Sequence, residues 1–197
     1  SIAPEIFGND TQKEALLLQA VGSPQKTLPD GSILRGDMNV LFVGDPGTAK
    51  SELLKYASRL APRGLYASGK GSTAAGLTAA VVRERTGMMM LEAGTVVLAD
   101  KGIACIDEFD KMRNEDRTAL HEAMEQQTVS IAKGGINATL NARTAVLAAA
   151  NPELGSYDKY KTFKDQINID TPLLTRFDLI FVIRDTPNVP RDEKLAE

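Results

Sequence analysis

The chain has 197 residues, of which 43% are hydrophobic and 25% charged, and its formal net charge at pH 7 is −3. This composition is typical of a globular domain with a core, and the near-neutral balance excludes a broadly basic surface, so nucleic acid would have to bind to a local patch. No apolar run is long enough to span a membrane and no signal peptide opens the chain, so we expect a soluble, intracellular protein.

The first predicted elements are a helix and a parallel sheet. Asp10 or Thr11 is expected to cap a helix that ends near Val21, and residues 22–32 are rich in Pro, Gly and Ser and predict a loop. Five mostly apolar runs predict strands at 38–43, 64–68, 102–106, 144–150 and 178–183. Because segments with helical spacing separate most of them, the pattern favours an α/β fold with a parallel sheet covered on both faces. Cys105, the single cysteine, lies in one of these runs and is predicted to be buried.

Two further segments predict β-hairpins. Residues 81–92 place Thr86–Gly87 between two strand-like runs, and residues 128–140 place Lys133–Gly134–Gly135 between two more. Spacing alone favours a surface decoration for each hairpin. The three methionines at 88–90 favour adaptable core packing.

A phosphate-binding loop is predicted between the first strand and the next helix. Backbone N–H groups of such a loop point inward, and the helix that follows turns its positive N-terminal end towards the phosphates. Lys50 would reach the β- and γ-phosphates, and the Ser51 hydroxyl would ligate Mg²⁺. The whole loop is predicted to bind ATP or ADP: Gly44, Asp45, Pro46, Gly47, Thr48, Ala49, Lys50 and Ser51.

Ala49 stands where the general pattern of this loop has a glycine. A methyl group is tolerated where φ is negative and is costly where φ is positive. We therefore predict that Ala49 has a negative φ and that its N–H still faces the phosphates.

Candidate catalytic residues follow two later strands. Asp107 and Glu108 end the apolar run GIACI, where Asp107 would hold Mg²⁺ through water and Glu108 would polarise the attacking water. Asn151 ends the run at 144–150, on the ligand-binding rim of a parallel sheet. Its amide would position the attacking water, or it is a turn-former before Pro152; spacing alone does not separate the two.

The segment around His121, the only histidine, predicts a helix after a cap at Asn114. Its charged residues are expected to form a solvated face: Arg113, Glu115, Asp116 and Arg117. No second histidine or cysteine is close enough in sequence to predict a metal site here.

Four segments together closely resemble the minichromosome maintenance (MCM) family of replicative DNA helicases. They are GDPGTAKS at 44–51, CIDEFDKM at 105–112, ALHEAMEQQTVSIAKGGINATLNARTAVLAAANP at 119–152 and LLTRFDLIF at 173–181. The resemblance runs from Ile2 over essentially the whole chain. The family also usually has alanine at this position of the phosphate loop.

The resemblance implies an AAA+ ATPase that works in a ring, usually a hexamer, with ATP and Mg²⁺ bound between neighbouring subunits. It matches Lys50, Ser51, Asp107, Glu108 and Asn151 to the family's Walker A, Walker B and sensor-1 positions. Arg176 matches the arginine finger, which would reach into the next subunit's site. Without the family pattern, an intramolecular pair between Arg176 and Asp178 would be favoured.

The hairpins resemble the helix-2 insert and the pre-sensor-1 hairpin, which project into the ring's channel. Lys133 matches the family's DNA-contacting lysine, a role that suits a contact with backbone phosphates. Arg83 and Arg85 on the first hairpin are further candidates for DNA contacts.

These features predict the motor domain of an ATP-driven DNA helicase that acts on single- and double-stranded DNA in a homo-oligomeric ring. The alternatives are an AAA+ machine acting on protein, such as a chelatase or a transcription activator, and an ATP-gated clamp or assembly factor. Residues 1–197 are expected to be one AAA+ domain of a longer protein, cytoplasmic in a prokaryote or nuclear in a eukaryote. The family's N-terminal DNA-binding domain and C-terminal lid would lie outside it, and Pro190–Glu197 would begin a helix.

Overall fold

The computed structural model describes residues 2–153, 155, 156, 158 and 160–184; the helix predicted to begin at Pro190 lies outside these residues. Among the described residues the strands are β1 (Lys26–Thr27), β2 (Ile33–Leu34), β3 (Val40–Gly44), β4 (Gly64–Ser68), β5 (Ala79–Arg83), β6 (Met89–Ala93), β7 (Ile103–Asp107), β8 (Thr128–Lys133), β9 (Ile136–Asn141), β10 (Ala145–Ala150) and β11 (Leu179–Ile183). The helices are α1 (Asp10–Val21), α2 (Lys50–Leu60), α3 (Ala74–Leu77), α4 (Thr95–Leu98), α5 (Asn114–Gln126) and α6 (Thr171–Leu174), with 3-10 turns at Phe109–Lys111 and Phe163–Gln166. In this described part, no helix has the length and apolar character to cross a bilayer.

The central sheet has five parallel strands in the order β11-β3-β10-β7-β4, which confirms the predicted α/β architecture. Every residue of β3, β7 and β10 is buried, because an apolar cluster covers each face of the sheet. Leu41 and Val43 point into one cluster, and Val40 and Phe42 point into the other. Cys105 is fully buried, as predicted.

Both predicted hairpins are present: β5 pairs antiparallel with β6, and β8 pairs antiparallel with β9. They contact each other at Gly134, where an added Cβ would lie 2.7 Å from Met89 Cε. The prediction of core packing for residues 88–90 is wrong for Met88 and Met90, which are 66% and 46% exposed. In a two-stranded ribbon outside the central sheet, alternate side chains face solvent, so only Met89 is half-buried.

Two predictions about helix starts are also wrong. The first helix begins at Asp10 itself, after Asn9 in a left-handed conformation with φ 55°, and α5 begins at Asn114 after Arg113; neither preceding side chain caps its helix. Packing of the helices on the sheet decides where they begin, so a capping side chain is not required.

The expected solvated face of α5 is wrong in part. Arg113 and Glu115 are exposed, whereas Asp116 and Arg117 are only 1% and 4% exposed. The Arg117 side chain turns inward because its Nη2 donates to the carbonyl oxygen of Asp110, at 3.0 Å. Burying a charged side chain is costly unless it forms hydrogen bonds, and this bond to Asp110 offsets part of that cost for Arg117.

Candidate active site

A cavity of 590 Å³ lies at the carboxyl edge of the central sheet. Three segments that are distant in sequence line it: residues 46–52, the pair Asp107–Glu108, and Asn151. They meet because β3, β7 and β10 are parallel neighbours, so their carboxyl ends share one edge. The structure thus brings the predicted phosphate loop, the two acids and the asparagine to one cavity.

Lys50 is folded against its own loop. Its Nζ donates to the carbonyl oxygens of Gly44 at 2.8 Å and Asp45 at 2.7 Å, and to Thr48 Oγ1 at 3.1 Å. Burial lowers the pKa of the Lys50 ammonium, against the opposing effect of the carboxylates of Asp107, Asp45 and Asp110. A phosphate entering the loop would exchange these neutral acceptors for charged oxygens, which form stronger hydrogen bonds.

The prediction of a negative φ for Ala49 is wrong: Ala49 has φ 60° and ψ 16°, in the left-handed region. It is the residue that immediately precedes α2, where the chain turns sharply from the loop into the helix. Glycine adopts this conformation freely, whereas the methyl group of alanine costs about 1–2 kcal/mol there. The left-handed conformation explains why phosphate loops in general prefer glycine at this position. Alanine, with the smallest side chain after glycine, is tolerated there at that cost.

Both acids are held by side chains from β4. Tyr66 donates its hydroxyl to Asp107 Oδ2 at 2.7 Å, and the Ser68 hydroxyl donates to Glu108 Oε2 at 2.8 Å. The other oxygen of Asp107 accepts the Glu108 N–H at 2.8 Å. Burial, together with the hydrogen bond to Asp107, raises the pKa of the Tyr66 hydroxyl, which therefore stays protonated and donates.

Sequence reasoning missed Tyr66 and Ser68. They are two residues apart near the carboxyl end of β4, so they lie on the same face, and Ser68 is in register with Asp107 on β7. Polar residues at alternate positions near the end of a predicted strand are the signal that was available. Glu108 itself has φ 48°, a strained conformation of the kind that concentrates at functional sites.

Asn151 directly follows β10, and its N–H donates to Asp110 Oδ1 at 3.0 Å. Asp110 belongs to the 3-10 turn that follows Glu108 and is only 6% exposed. Sequence reasoning missed Asp110 as well, although it stands in the quoted motif CIDEFDKM.

Arg176 lies apart from this cavity. Its Nη2 is 2.6 Å from Glu125 Oε1, and its Nε donates to His121 Nε2 at 3.3 Å, both on α5. The alternative of an intramolecular pair with Asp178 is wrong, because Asp178 pairs with Arg35 at 2.8 Å. Asp178 is drawn away because its second carboxylate oxygen also accepts the Asn39 N–H, at the amino edge of the sheet.

The candidate DNA-contacting residues are exposed. Lys133 is the last residue of β8, Arg83 is the last residue of β5, and Arg85 lies in the turn of the first hairpin. Arg83 Nε donates to the carbonyl oxygen of Gly87 at 3.4 Å. These three cations therefore sit at or near the tips of the hairpins, outside the cavity that the predicted phosphate loop lines.

The family model for the MCM P-loop domain matches residues 1–197. The chain belongs to the MCM family. Similar proteins include the DNA replication licensing factor mcm7 of Schizosaccharomyces pombe, 58% identical over 100% of this chain, and the DNA replication licensing factor MCM5 of Arabidopsis thaliana, 57% identical over 99%. The minichromosome maintenance protein MCM of Saccharolobus solfataricus is 60% identical over 100%.

The chain spans 26–28% of the length of these three MCM proteins. The match confirms the resemblance that the four segments indicated. The individual roles of the residues around the cavity and on the hairpins stay predictions, which the geometry makes specific enough to test.

Proposed function

We propose that this chain is the ATPase domain of an ATP-driven DNA helicase, which hydrolyses ATP at the interfaces between subunits of a ring to move along DNA and unwind it during replication. The observation that carries the proposal is the single cavity shared by the phosphate loop, Asp107, Glu108 and Asn151. The names of the similar proteins, which are replication licensing factors and a minichromosome maintenance protein, support the same process.

The loop is proposed to bind the phosphates of ATP. Its backbone N–H groups and Lys50 supply positive charge, and α2 begins at Lys50 with its N-terminal end at the cavity. Ser51 and Asp107 offer the hard oxygen ligands that Mg²⁺ prefers, and Mg²⁺ bound with nucleotide needs only one or two protein oxygens. When bound, Mg²⁺ would neutralise charge on the β- and γ-phosphates.

Glu108 is proposed to orient and deprotonate the attacking water. Ser68 holds one oxygen of the carboxylate, so the direction of the other oxygen is restricted. Asn151, on the neighbouring strand end, would hold the same water with its amide. The two side chains therefore have to keep a fixed separation.

Arg176 is proposed to act on the neighbouring subunit. It lies apart from its own cavity, and Glu125 and His121 hold its guanidinium. A phosphoryl group on the neighbouring subunit would compete with Glu125 for the guanidinium. An arginine supplied in this way is worth ~10³–10⁵ in rate, so an isolated subunit should bind ATP and hydrolyse it poorly.

Lys133, with Arg83 and Arg85, is proposed to contact the DNA backbone in the channel of the ring. The contact between the hairpins at Gly134 and Met89 would keep these cations together as one basic surface. Phosphate contacts need no base recognition, which suits a motor that must pass every sequence. A ring of identical subunits, hexameric as is usual in the family, belongs to the same proposal. So do an intracellular location and further domains outside this chain.

The test is ATP turnover per subunit of the full-length protein, measured against protein concentration with and without single-stranded DNA. Turnover should rise as subunits associate and rise again with DNA. Glu108→Gln should abolish turnover and keep ATP binding, whereas Glu115→Gln, the same change at an exposed glutamate, should behave as wild type. Turnover that ignores concentration and DNA, in a protein that binds both ligands, would favour a clamp or a protein-remodelling machine.

A further inference from the structure

We propose that Asp110 is the positioning residue that fixes Asn151 relative to Glu108, and so sets the place of the attacking water. The inference rests on the proposed function, because it concerns how the hydrolytic site is built. It assigns a role to a carboxylate that contributes no atom to the lining of the cavity.

The hydrogen bond from Asn151 to Asp110 satisfies a group that the sheet leaves without a strand partner. The parallel pairing of β10 ends at Ala150 with β3 and at Ala148 with β7, so the N–H of Asn151 belongs to neither ladder. Asp110 Oδ1 accepts that N–H at 3.0 Å. A bond to an ionised carboxylate is stronger than one to a neutral acceptor, and it fixes the backbone from which the Asn151 amide projects.

The backbone and the second carboxylate oxygen of Asp110 are engaged by other side chains. Arg117 Nη2 donates to the carbonyl oxygen of Asp110 at 3.0 Å, and Arg117 Nη1 lies 4.0 Å from Asp170 Oδ2 at the start of α6. Asp110 Oδ2 lies 3.2 Å from Lys111 Nζ. With its backbone and both carboxylate oxygens engaged, Asp110 has little freedom to move.

Asp110 is two residues from Glu108, and Asn151 directly follows β10, the strand next to β7. The proposed base and the proposed water-holding amide are thus joined through one short turn and one hydrogen bond. A displacement of about 1 Å at a reacting group can cost ~10² in rate. Asp110 therefore controls the rate of the chemical step without touching the substrate.

The competing role for Asp110 is electrostatic, because its negative charge favours the ammonium form of Lys50. Asp110→Asn separates the two roles, since the amide keeps an acceptor oxygen for Asn151 and removes the charge. Asp110→Leu keeps the branch at Cγ and removes both the acceptor and the charge.

The experiment compares kcat and the dissociation constant for ATP in the full-length protein and its variants. We expect Asp110→Asn to stay within about threefold of wild-type kcat and Asp110→Leu to lose about 10- to 100-fold, with ATP affinity within about threefold in both. In a protein that already carries Asn151→Ala, adding Asp110→Leu should lower kcat by less than about a further twofold, because the effects of coupled residues are not additive. Asp110→Ala replaces the leucine variant if that variant does not fold.

A second readout does not depend on activity: hydrogen–deuterium exchange of the peptide that contains Asn151. Exchange should be clearly faster in Asp110→Leu and much closer to wild type in Asp110→Asn, whose amide oxygen still accepts the Asn151 N–H through a weaker bond. The proposal is overturned if the leucine variant keeps wild-type kcat and exchange. It is also overturned if the asparagine variant loses as much kcat as the leucine variant and also binds ATP more weakly, because loss of the charge would then explain both effects. If the wild type shows no turnover, the proposed function fails, and exchange alone decides whether Asp110 holds Asn151.

Discussion

Replacing Ala49 by glycine tests whether the phosphate loop carries backbone strain. Alanine at φ 60° costs about 1–2 kcal/mol, which glycine removes. Glycine also adds freedom to the unfolded chain, at about 0.4–1 kcal/mol, and loses a half-buried methyl worth less than the ~0.8 kcal/mol of a fully buried one. The net expectation for Ala49→Gly lies between a loss of about 0.8 and a gain of about 1.6 kcal/mol for the folded state, with the middle of the range a gain of about 0.4 kcal/mol.

With a negative φ the strain relief would be absent, and the same substitution would destabilise the fold by about 1 kcal/mol. A gain in stability is therefore diagnostic of the left-handed conformation, because a negative φ predicts only losses. Urea unfolding of the chain at equilibrium measures the change in unfolding free energy. The control is Ala20→Gly on the exposed side of the last turn of α1, where a loss of at most about 0.5–1 kcal/mol is expected.

Ala49→Val gives the opposite test. A β-branched residue in the left-handed region is an outlier, so the variant should lose up to about 3 kcal/mol and bind ATP more weakly. A stable valine variant with unchanged ATP affinity, next to a destabilised glycine variant, would show that the left-handed conformation is not the one the loop adopts.

Three further predictions concern the finger and the hairpins. Arg176→Ala should lower turnover of the assembled ring by ~10³ or more while ATP still binds, and near-normal turnover would contradict a finger role. Lys133→Ala should weaken single-stranded DNA binding equally for all sequences. In anisotropy titrations, the slope of the logarithm of the binding constant against the logarithm of salt concentration should fall in magnitude by about 1, and an unchanged slope would show that Lys133 makes no phosphate contact. Gly134→Ala and Gly135→Ala both place a methyl at positive φ, but only Gly134 faces Met89, so urea unfolding should show the larger loss for Gly134→Ala and equal losses would refute the contact between the hairpins.

The sequence predicted the architecture because its signals are local. Near-continuous apolar runs such as 102–106 occur where both faces of a parallel sheet are covered, and the observed strand at Ile103–Asp107 differs by one residue at each end. The two hairpins were predicted from their turn residues for the same reason. Family membership was predictable because the motifs occupy fixed positions along the chain.

The errors concern contacts between segments distant in sequence. Nothing in the sequence next to Arg117 indicates that its side chain is buried. The burial follows from the hydrogen bond that Arg117 donates to the carbonyl oxygen of Asp110. The partner of Arg176 is Glu125, 51 positions earlier in the chain, and Asp178 two residues away pairs elsewhere. The left-handed Ala49 belongs to the same class, because the packing of α2 against the sheet sets the turn that precedes it.

By itself, the sequence determined the fold class, the family and the chemical groups available: a phosphate loop, two acids, an asparagine and an arginine. Side-chain chemistry and short-range periodicity suffice for these. Only the tertiary structure decided which groups hold which: Tyr66 and Ser68 on the two acids, and Asp110 on Asn151. The physical reason is that a hydrogen bond depends on tenths of an ångström between strands that meet only when the sheet is assembled.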